Sequence, residues 1–363
     1  MVNSNCYKIP FNDLRPVIAD QRAKIDEAIK RVLDSGVFVQ GYEVKQFEKE
    51  LAEYCGVKYA VSCANGTDAI KLALLSKSSF LTKVVVQANS APATVAAIWD
   101  ARLQPHYTEI DERGLVNLDK TPPEDDLEIR AGIYVNLYGQ VHTEQYDKGA
   151  WVNALAIEDG AQSLGTIGFC QNNADLWTTS FYPTKNLGAL GDGGAVLTND
   201  EALASRMRTQ ANYGLDETKF MYSQGWNSRL DEIQAAILRE RLKDLDMYCS
   251  VRRGIARLYD NMLEPCVKHR AYNPNENYHL YTILVPKGRR ADLQKYLLER
   301  GIQTAIHYVQ SVYHNLPITM KFQEQVLSLP CYPGMLQMDA LMVAANINDF
   351  LTKEGLRAEN YLC

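Results

Sequence analysis

Nothing in this 363-residue chain approaches the roughly 18 consecutive apolar residues that a membrane-spanning helix needs. Its first residues, Met1-Val2-Asn3-Ser4-Asn5-Cys6-Tyr7-Lys8, lack the apolar core of a secretory signal. Eight cysteines are scattered at positions 6, 55, 63, 170, 249, 266, 331 and 363 with no C-x-x-C pair. That pattern excludes a zinc site and a disulfide framework and reads as reduced packing thiols. Positive charge is also short: 38 Lys and Arg against 44 Asp and Glu leave a net charge of −6, without the basic stripes of a nucleic-acid binder. A small anionic ligand needs only a local positive site, so that class stays open. No repeat or low-complexity tract is present. These absences predict a cytoplasmic protein with no membrane, metal or nucleic-acid partner. What remains is 46% hydrophobic and 23% charged, the balance of an ordinary soluble chain. The length exceeds one ordinary core and predicts two domains.

Residues 19–35 carry helical spacing and end at Asp34-Ser35-Gly36. Tyr42 to Tyr54 predicts a second helix, with Val44, Phe47, Leu51 and Tyr54 on one stripe. Then strands and helices alternate. Tyr59–Cys63 reads as a strand, Ala64-Asn65-Gly66 as a turn, and a helix starts at Thr67. Lys83–Ala88 reads as strand and Ala93–Asp100 as helix; Ile133–Leu137 and Leu155–Ile157 are further strands. Their near-continuous apolar character suits a mostly parallel sheet covered on both faces. This rhythm predicts a doubly wound α/β large domain over residues 1–240. A long charged helix is expected at Leu230–Asn261. Beyond it come a strand at Tyr278–Val285, a helix at Arg290–Arg300, a strand at Gln303–His307 and a helix at Met338–Leu351. They predict a smaller α+β domain over residues 241–363.

Lys185 is the centre of the chemistry. It stands in Ser180-Phe181-Tyr182-Pro183-Thr184-Lys185-Asn186, before the glycine-dense run Gly188-Ala189-Leu190-Gly191-Asp192-Gly193-Gly194. A lone lysine is usually a solvated surface charge. Here hydroxyls precede it, glycines that permit close backbone approach follow it, and a carboxylate, Asp159, lies about two dozen residues upstream at the end of an apolar strand. That layout fits a pyridoxal phosphate (PLP) site: an imine-forming lysine, hydroxyls and N–H groups for the phosphate, and a carboxylate for the pyridinium nitrogen. Asp159 alone reads equally well as a helix cap. Beside Lys185 it reads as the ring partner, at the carboxyl end of a strand where open α/β sheets bind ligands. Gln162, one helical turn on, is placed to reach the ring hydroxyl. Gly66 and Thr67 open a helix, which is a phosphate seat, though such a pair is usually only a cap. Asp68 would repel a phosphate and is expected to face elsewhere.

With these residues placed, nearly the whole chain resembles the DegT/DnrJ/EryC1/StrS family of sugar aminotransferases. Many short motifs in order carry the resemblance, among them Phe38-Val39-Gln40-Gly41-Tyr42, Glu158-Asp159-Gly160-Ala161-Gln162-Ser163, Thr179-Ser180-Phe181-Tyr182-Pro183-Thr184-Lys185, Gly191-Asp192-Gly193-Gly194 and Asn227-Ser228-Arg229-Leu230-Asp231. Further on, Ile306-His307-Tyr308 and Leu327-Ser328-Leu329-Pro330 continue it. The resemblance implies the type I PLP-transferase fold, with Lys185 as Schiff-base lysine and proton shuttle, Asp159 as pyridinium partner and Gln162 at the ring hydroxyl. Gly66, Thr67 and Ser180 would hold the phosphate, and Asn227 would reach it from the other subunit of a homodimer, with Arg229 nearby. Tyr182, Arg229, His307 and Tyr308 would lie on the substrate side. The substrates implied are a nucleotide sugar and an amino acid, glutamate by resemblance.

Asn65-Gly66-Thr67-Asp68-Ala69 and Leu137-Tyr138-Gly139-Gln140 resemble members that aminate C3 of 3-keto nucleotide sugars. A 4-keto enzyme, a PLP-dependent sugar dehydratase and a non-catalytic sugar-nucleotide-binding homologue are the alternatives. Lys185 speaks against the dehydratase, because the dehydratases on this fold replace the lysine with histidine. Three departures stand out. Ala91, within Gln87-Ala88-Asn89-Ser90-Ala91-Pro92-Ala93-Thr94, occupies the place of an aromatic that stacks on the cofactor ring, a contact worth about 1 kcal/mol. Ser76-Lys77-Ser78-Ser79-Phe80 replaces a glycine-rich acidic turn, and Val309-Gln310 stands where a proline is common.

Overall fold

The computed structural model describes residues 8–77, 82–117, 129–142, 155–216, 218–265, 267–309 and 315–355. Helices α1 (Arg15–Asp20), α2 (Arg22–Ser35) and α3 (Tyr42–Cys55) lead into strand β1 (Tyr59–Cys63) and α4 (Gly66–Ser76). Gly36 ends α2 with φ +65°, the left-handed conformation that glycine adopts without strain. Next come β2 (Lys83–Gln87), α5 (Pro92–Asp100), β3 (Gln104–Thr108), β4 (Ile129–Val135), β5 (Leu155–Asp159), β6 (Leu176–Ser180), β7 (Gly194–Thr198) and α6 (Glu201–Ala211).

These seven strands form one sheet in the order β1-β7-β6-β5-β4-β2-β3. Strand β7 pairs antiparallel with both neighbours, and the remaining pairings are parallel. The sheet is therefore mostly parallel, as the apolar runs predict. Side chains alternate between two cores. Val61, Ile133, Ile157, Leu176 and Val196 pack on one face with α4 and α5. Ala60, Tyr134, Ala156, Trp177 and Leu197 pack on the other with Phe47 and Leu51 of α3. Cys55, Cys63, Cys170, Cys249 and Cys331 are buried free thiols.

Helix α3 has no side-chain cap of its own at Gly41. The buried Glu232 carboxylate supplies one from a distant element, accepting the N–H groups of Gly41 (2.7 Å), Glu43 (2.8 Å) and Val44 (3.1 Å). Glu232→Ala leaves these amides without an acceptor and is expected to cost about 2–3 kcal/mol, the scale of losing hydrogen bonds to a charged group. A lowered urea midpoint with an unchanged slope is the measurement; an unchanged midpoint would contradict it.

After β7 the expected single helix over Leu230–Asn261 is two, α7 (Glu232–Leu242) and α8 (Leu245–Met262). Asp244 sits at the break and accepts from Gln21 Nε2 (3.0 Å) and Lys24 Nζ (2.8 Å). With no Gly or Pro there, periodicity alone runs through the break. The chain continues with β8 (Lys268–His269), β9 (Tyr281–Leu284), α9 (Arg290–Glu299), α10 (Pro317–Gln325), β10 (Val326–Leu329) and α11 (Gln337–Lys353). Strands β8, β9 and β10 form an antiparallel sheet over a third core with α8, α9 and α11. The strand expected at Gln303–His307 is not formed. Its backbone is divided between two partners, Ile302 bridging Ile9 and Ala305 bridging Ser328. No helix among the described residues is long and apolar enough to cross a membrane.

Candidate active site

Because β1, β2, β4, β5 and β6 run the same way, their carboxyl ends share one edge, and β7 begins there. Asn65 caps α4 with extended backbone (φ −165°), its Oδ1 accepting the Asp68 N–H at 2.8 Å. The earlier amides, those of Gly66 and Thr67, have no partner within the helix. The helix thus turns N–H groups and its positive end toward the sheet edge. Ser180, the last residue of β6, faces it: a Cβ on Gly66 would lie 2.6 Å from Ser180 Cβ and 3.0 Å from its Oγ. Only glycine lets the start of α4 pack this closely on Ser180, which sets the helix amides beside its hydroxyl. The Asp68 carboxylate accepts from Ser228 Oγ at 2.5 Å.

Asp159 ends β5 and is buried. Its Oδ2 accepts from Thr94 Oγ1 (2.8 Å) and its Oδ1 from the Ala161 N–H (3.1 Å). Burial raises its carboxyl pKa above the ordinary value, while these bonds and the Lys185 charge act in the opposite direction. Lys185 is carried by the loop from β6 to β7. The Phe181 N–H donates to Gly193 O (2.8 Å), the Ala189 N–H to Phe181 O (2.7 Å) and the Lys185 N–H to Tyr182 O (2.8 Å). Burial pushes the Lys185 ammonium down to about 8, and the Asp159 carboxylate pulls it back up. A neutral amine is therefore present in quantity near neutral pH. In cofactor-free protein, the rate of PLP capture, followed by its visible band, is expected to rise with pH and level off above about 8. A midpoint near that of an ordinary lysine would contradict this.

Gln162 lies in a run of turns, not the helix expected after β5. Its Oε1 accepts the Tyr138 N–H (2.7 Å) and its Nε2 donates to the Tyr308 hydroxyl (2.9 Å). Tyr138 has left-handed backbone (φ +66°) and a fully buried ring. Its hydroxyl donates to His307 O (2.6 Å) and accepts from Asn89 Nδ2 (2.9 Å). His307 Nδ1 lies 2.9 Å from Ser328 Oγ, and Phe11 stacks on its ring at 5.5 Å. Burial, with the Lys185 charge nearby, lowers His307 to about 4, so its imidazole is neutral. Burial raises the Tyr308 hydroxyl to about 12.

The fold thus gathers Gly66, Thr67, Asp159, Gln162, Ser180, Lys185, His307 and Tyr308. Tyr182 has an exposed side chain but is joined to the site by its backbone, its N–H donating to Ser180 Oγ (3.3 Å) and its carbonyl accepting the Lys185 N–H (2.8 Å). Asn227 is exposed, and Arg229 donates to Asn212 Oδ1 (3.2 Å) and lies over the Tyr213 ring. Ala91 is the half-buried residue before Pro92 at the start of α5. Val309 is exposed; Gln310 and 78–80 lie outside the described residues. Sequence reasoning missed Thr94, Asn89 and Tyr138. Tyr138 lay within the Leu137-Tyr138-Gly139-Gln140 motif, and Asn89 and Thr94 lay within the Gln87–Thr94 segment, where attention fell on Ala91 alone.

The model of the DegT/DnrJ/EryC1/StrS aminotransferase family matches residues 19–348. The chain belongs to that family. The UDP-2-acetamido-2-deoxy-3-oxo-D-glucuronate aminotransferase of Pseudomonas aeruginosa is 35% identical to it, over 90% of this chain and 95% of its own. The dTDP-3-amino-3,4,6-trideoxy-alpha-D-glucose transaminase of Streptomyces venezuelae is 35% identical, over 94% of this chain and 96% of its own. The crystal structure of NtdA from Bacillus subtilis with bound cofactor PMP superposes with a TM-score of 0.87 at 29% identity, covering 94% of this chain and 86% of that one. This aminotransferase accordingly has the type I fold and depends on PLP. Its residues fit the cofactor: the close approach of Gly66 to Ser180 brings the α4 amides and a hydroxyl together as phosphate donors, and a buried carboxylate acts on a desolvated amine.

Proposed function

We propose that this aminotransferase transfers an amino group from an amino acid, glutamate by resemblance, to C3 of a keto-sugar nucleotide in amino-sugar biosynthesis. The observation that carries the reading is the Lys185 amine, lowered to about 8 beside the buried Asp159 carboxylate. Relatives named for 3-oxo and 3-amino sugars favour C3 over the alternatives. Bound PLP supplies an electron sink next to the migrating nitrogen. Lys185 Nζ would take the proton from the carbon that gives the amine up and deliver it to the carbon that receives it. Asp159 keeps the pyridine nitrogen protonated, Gln162 reaches the ring hydroxyl, and Gly66, Thr67 and Ser180 hold the phosphate. Tyr182, His307 and Tyr308 line the sugar side. The 2-oxo acid leaves before the keto-sugar enters, a ping-pong order.

The working unit in this reading is a cytoplasmic homodimer. Asn227 of the partner subunit reaches the phosphate, with Arg229 at the same boundary. Support comes from Phe220, Met221 and Tyr222, which are 62%, 66% and 70% exposed just before Asn227, an apolar patch of the kind an interface covers. Residues 1–240 and 241–363 act as a large and a small domain, the latter closing over the site. Incubation with glutamate and a panel of 3-keto and 4-keto nucleotide sugars, read by product mass, tests the proposal. Amination of the 3-keto sugars supports it; amination confined to 4-keto sugars, or a deoxy-sugar without nitrogen gain, overturns it.

A further inference from the structure

We infer that His279 is a positioning residue for Lys185: its ring Nδ1–H donates to Asn186 Oδ1 and fixes the residue next to the reactive lysine. The inference rests on the reading of Lys185 as the proton-carrying amine. His279 lies two residues before β9, in the part of the chain that packs against the third core, and it is 7% exposed. Its Nδ1 is 3.2 Å from Asn186 Oδ1. The Asn186 amide nitrogen is directed at Cys249 Sγ (4.0 Å) on α8, so its oxygen faces the ring and the ring nitrogen carries the proton.

His279 is itself held at its backbone. Its N–H donates to Asn277 Oδ1 (2.8 Å), and its carbonyl accepts from Arg252 Nη1 (3.1 Å). Asn277 Nδ2 in turn donates to the carbonyls of Gln162 (3.0 Å) and Leu164 (2.9 Å). One short strut therefore ties the turn carrying Gln162 to the loop carrying Lys185. Burial keeps the ring uncharged, and the nearby Lys185, Arg252 and His307 act in the same direction. A neutral ring offers one donor and adds no positive charge beside the lysine. Lys185 has a long flexible stem, and its amine must serve two carbons in turn. Anchoring the adjacent peptide on one side through Tyr182 O and on the other through Asn186 narrows the positions that amine can sample.

The test uses the cofactor-loaded enzyme carrying His279→Leu, His279→Asn, His279→Gln or Asn186→Ala. An Asn amide nitrogen stands where Nδ1 stood; a Gln amide nitrogen stands nearer the place of Nε2. His279→Leu and Asn186→Ala are expected to lower kcat about 10- to 100-fold, the scale of a small misplacement of a reacting group. KM for glutamate is expected to hold, and the pH midpoint of the visible band to shift. His279→Asn restores most of the loss and His279→Gln does not. The His279→Leu, Asn186→Ala double variant is no worse than either single one, because both remove the same contact. Equal behaviour of the Asn and Gln variants, additive losses, or an unshifted band with normal kcat overturns the inference. Should His279→Leu not fold, Asn186→Ala and the Asn and Gln pair decide it. A Lys185→Ala enzyme that keeps its band and turns over would sink the Lys185 reading itself. If that enzyme is dead while the His279 variants are normal, only the His279 inference fails.

Discussion

Lys185→Ala is expected to lower kcat by about four orders of magnitude, the upper range for losing a positioned acid–base group. It also removes the visible band of the lysine-linked cofactor. The fold is expected to survive: the side chain is a half-buried amine already depressed by desolvation, and no core packing depends on its charge. Circular dichroism and the thermal midpoint check that half, and single-turnover assays with glutamate check the other. Added methylamine offers a further readout, since an exogenous amine restores part of the rate only if a missing proton carrier is the defect. Turnover within tenfold of wild type would remove Lys185 from the mechanism, since a positioned acid–base group supplies about 100-fold or more.

Asp159→Asn is the second large effect. The amide keeps the size of the carboxylate and can still accept from Thr94 Oγ1, so the site is expected to stay assembled. It cannot hold a proton on the pyridine nitrogen. A loss of about 100- to 1000-fold in kcat/KM is expected, comparable with deleting one charged partner from a preorganised site. A second consequence has a definite sign. The Asp159 carboxylate raises the Lys185 pKa against the lowering by burial, so its removal moves the amine further down, below the present value of about 8. The pH profile of PLP capture by the cofactor-free variant is therefore expected to shift to lower pH. A shift upward would mean that the carboxylate does not act on the amine.

Both residues were legible in the sequence because their signals are local: an apolar strand ending in a carboxylate, and a lysine set between hydroxyls and glycines. Gly66 and Thr67 were legible for the same reason. Thr94 was not, since its hydroxyl meets Asp159 only when α5 packs across the sheet edge, 65 residues away in the chain. Tyr138 reaches Gln162 and His307 across separations of 24 and 169 residues, from a left-handed backbone that no glycine advertises. Among the elements, β3 escaped because it is an edge strand reading Gln-Pro-His-Tyr-Thr, with little apolar content and a proline. Strands β6 and β7 escaped because the glycine run between them reads as an open loop. The break at Asp244 is stabilised by Gln21 and Lys24, side chains more than 200 residues away, so no local pattern could mark it.

The reversed direction of β7 bears on how the site is assembled in time. The parallel pairings at this edge are made through crossovers, and β1 meets β7 only from far along the chain. The lysine loop is different: Ser180 pairs with Gly194 in one antiparallel ladder, and the Phe181 N–H meets Gly193 O at 2.8 Å. Contacts separated by little more than a dozen residues close cheaply and early. The segment that presents the amine can thus take shape as a local hairpin, and the strand bearing Asp159 joins it over a similarly short separation, Asp159 opposite Thr178.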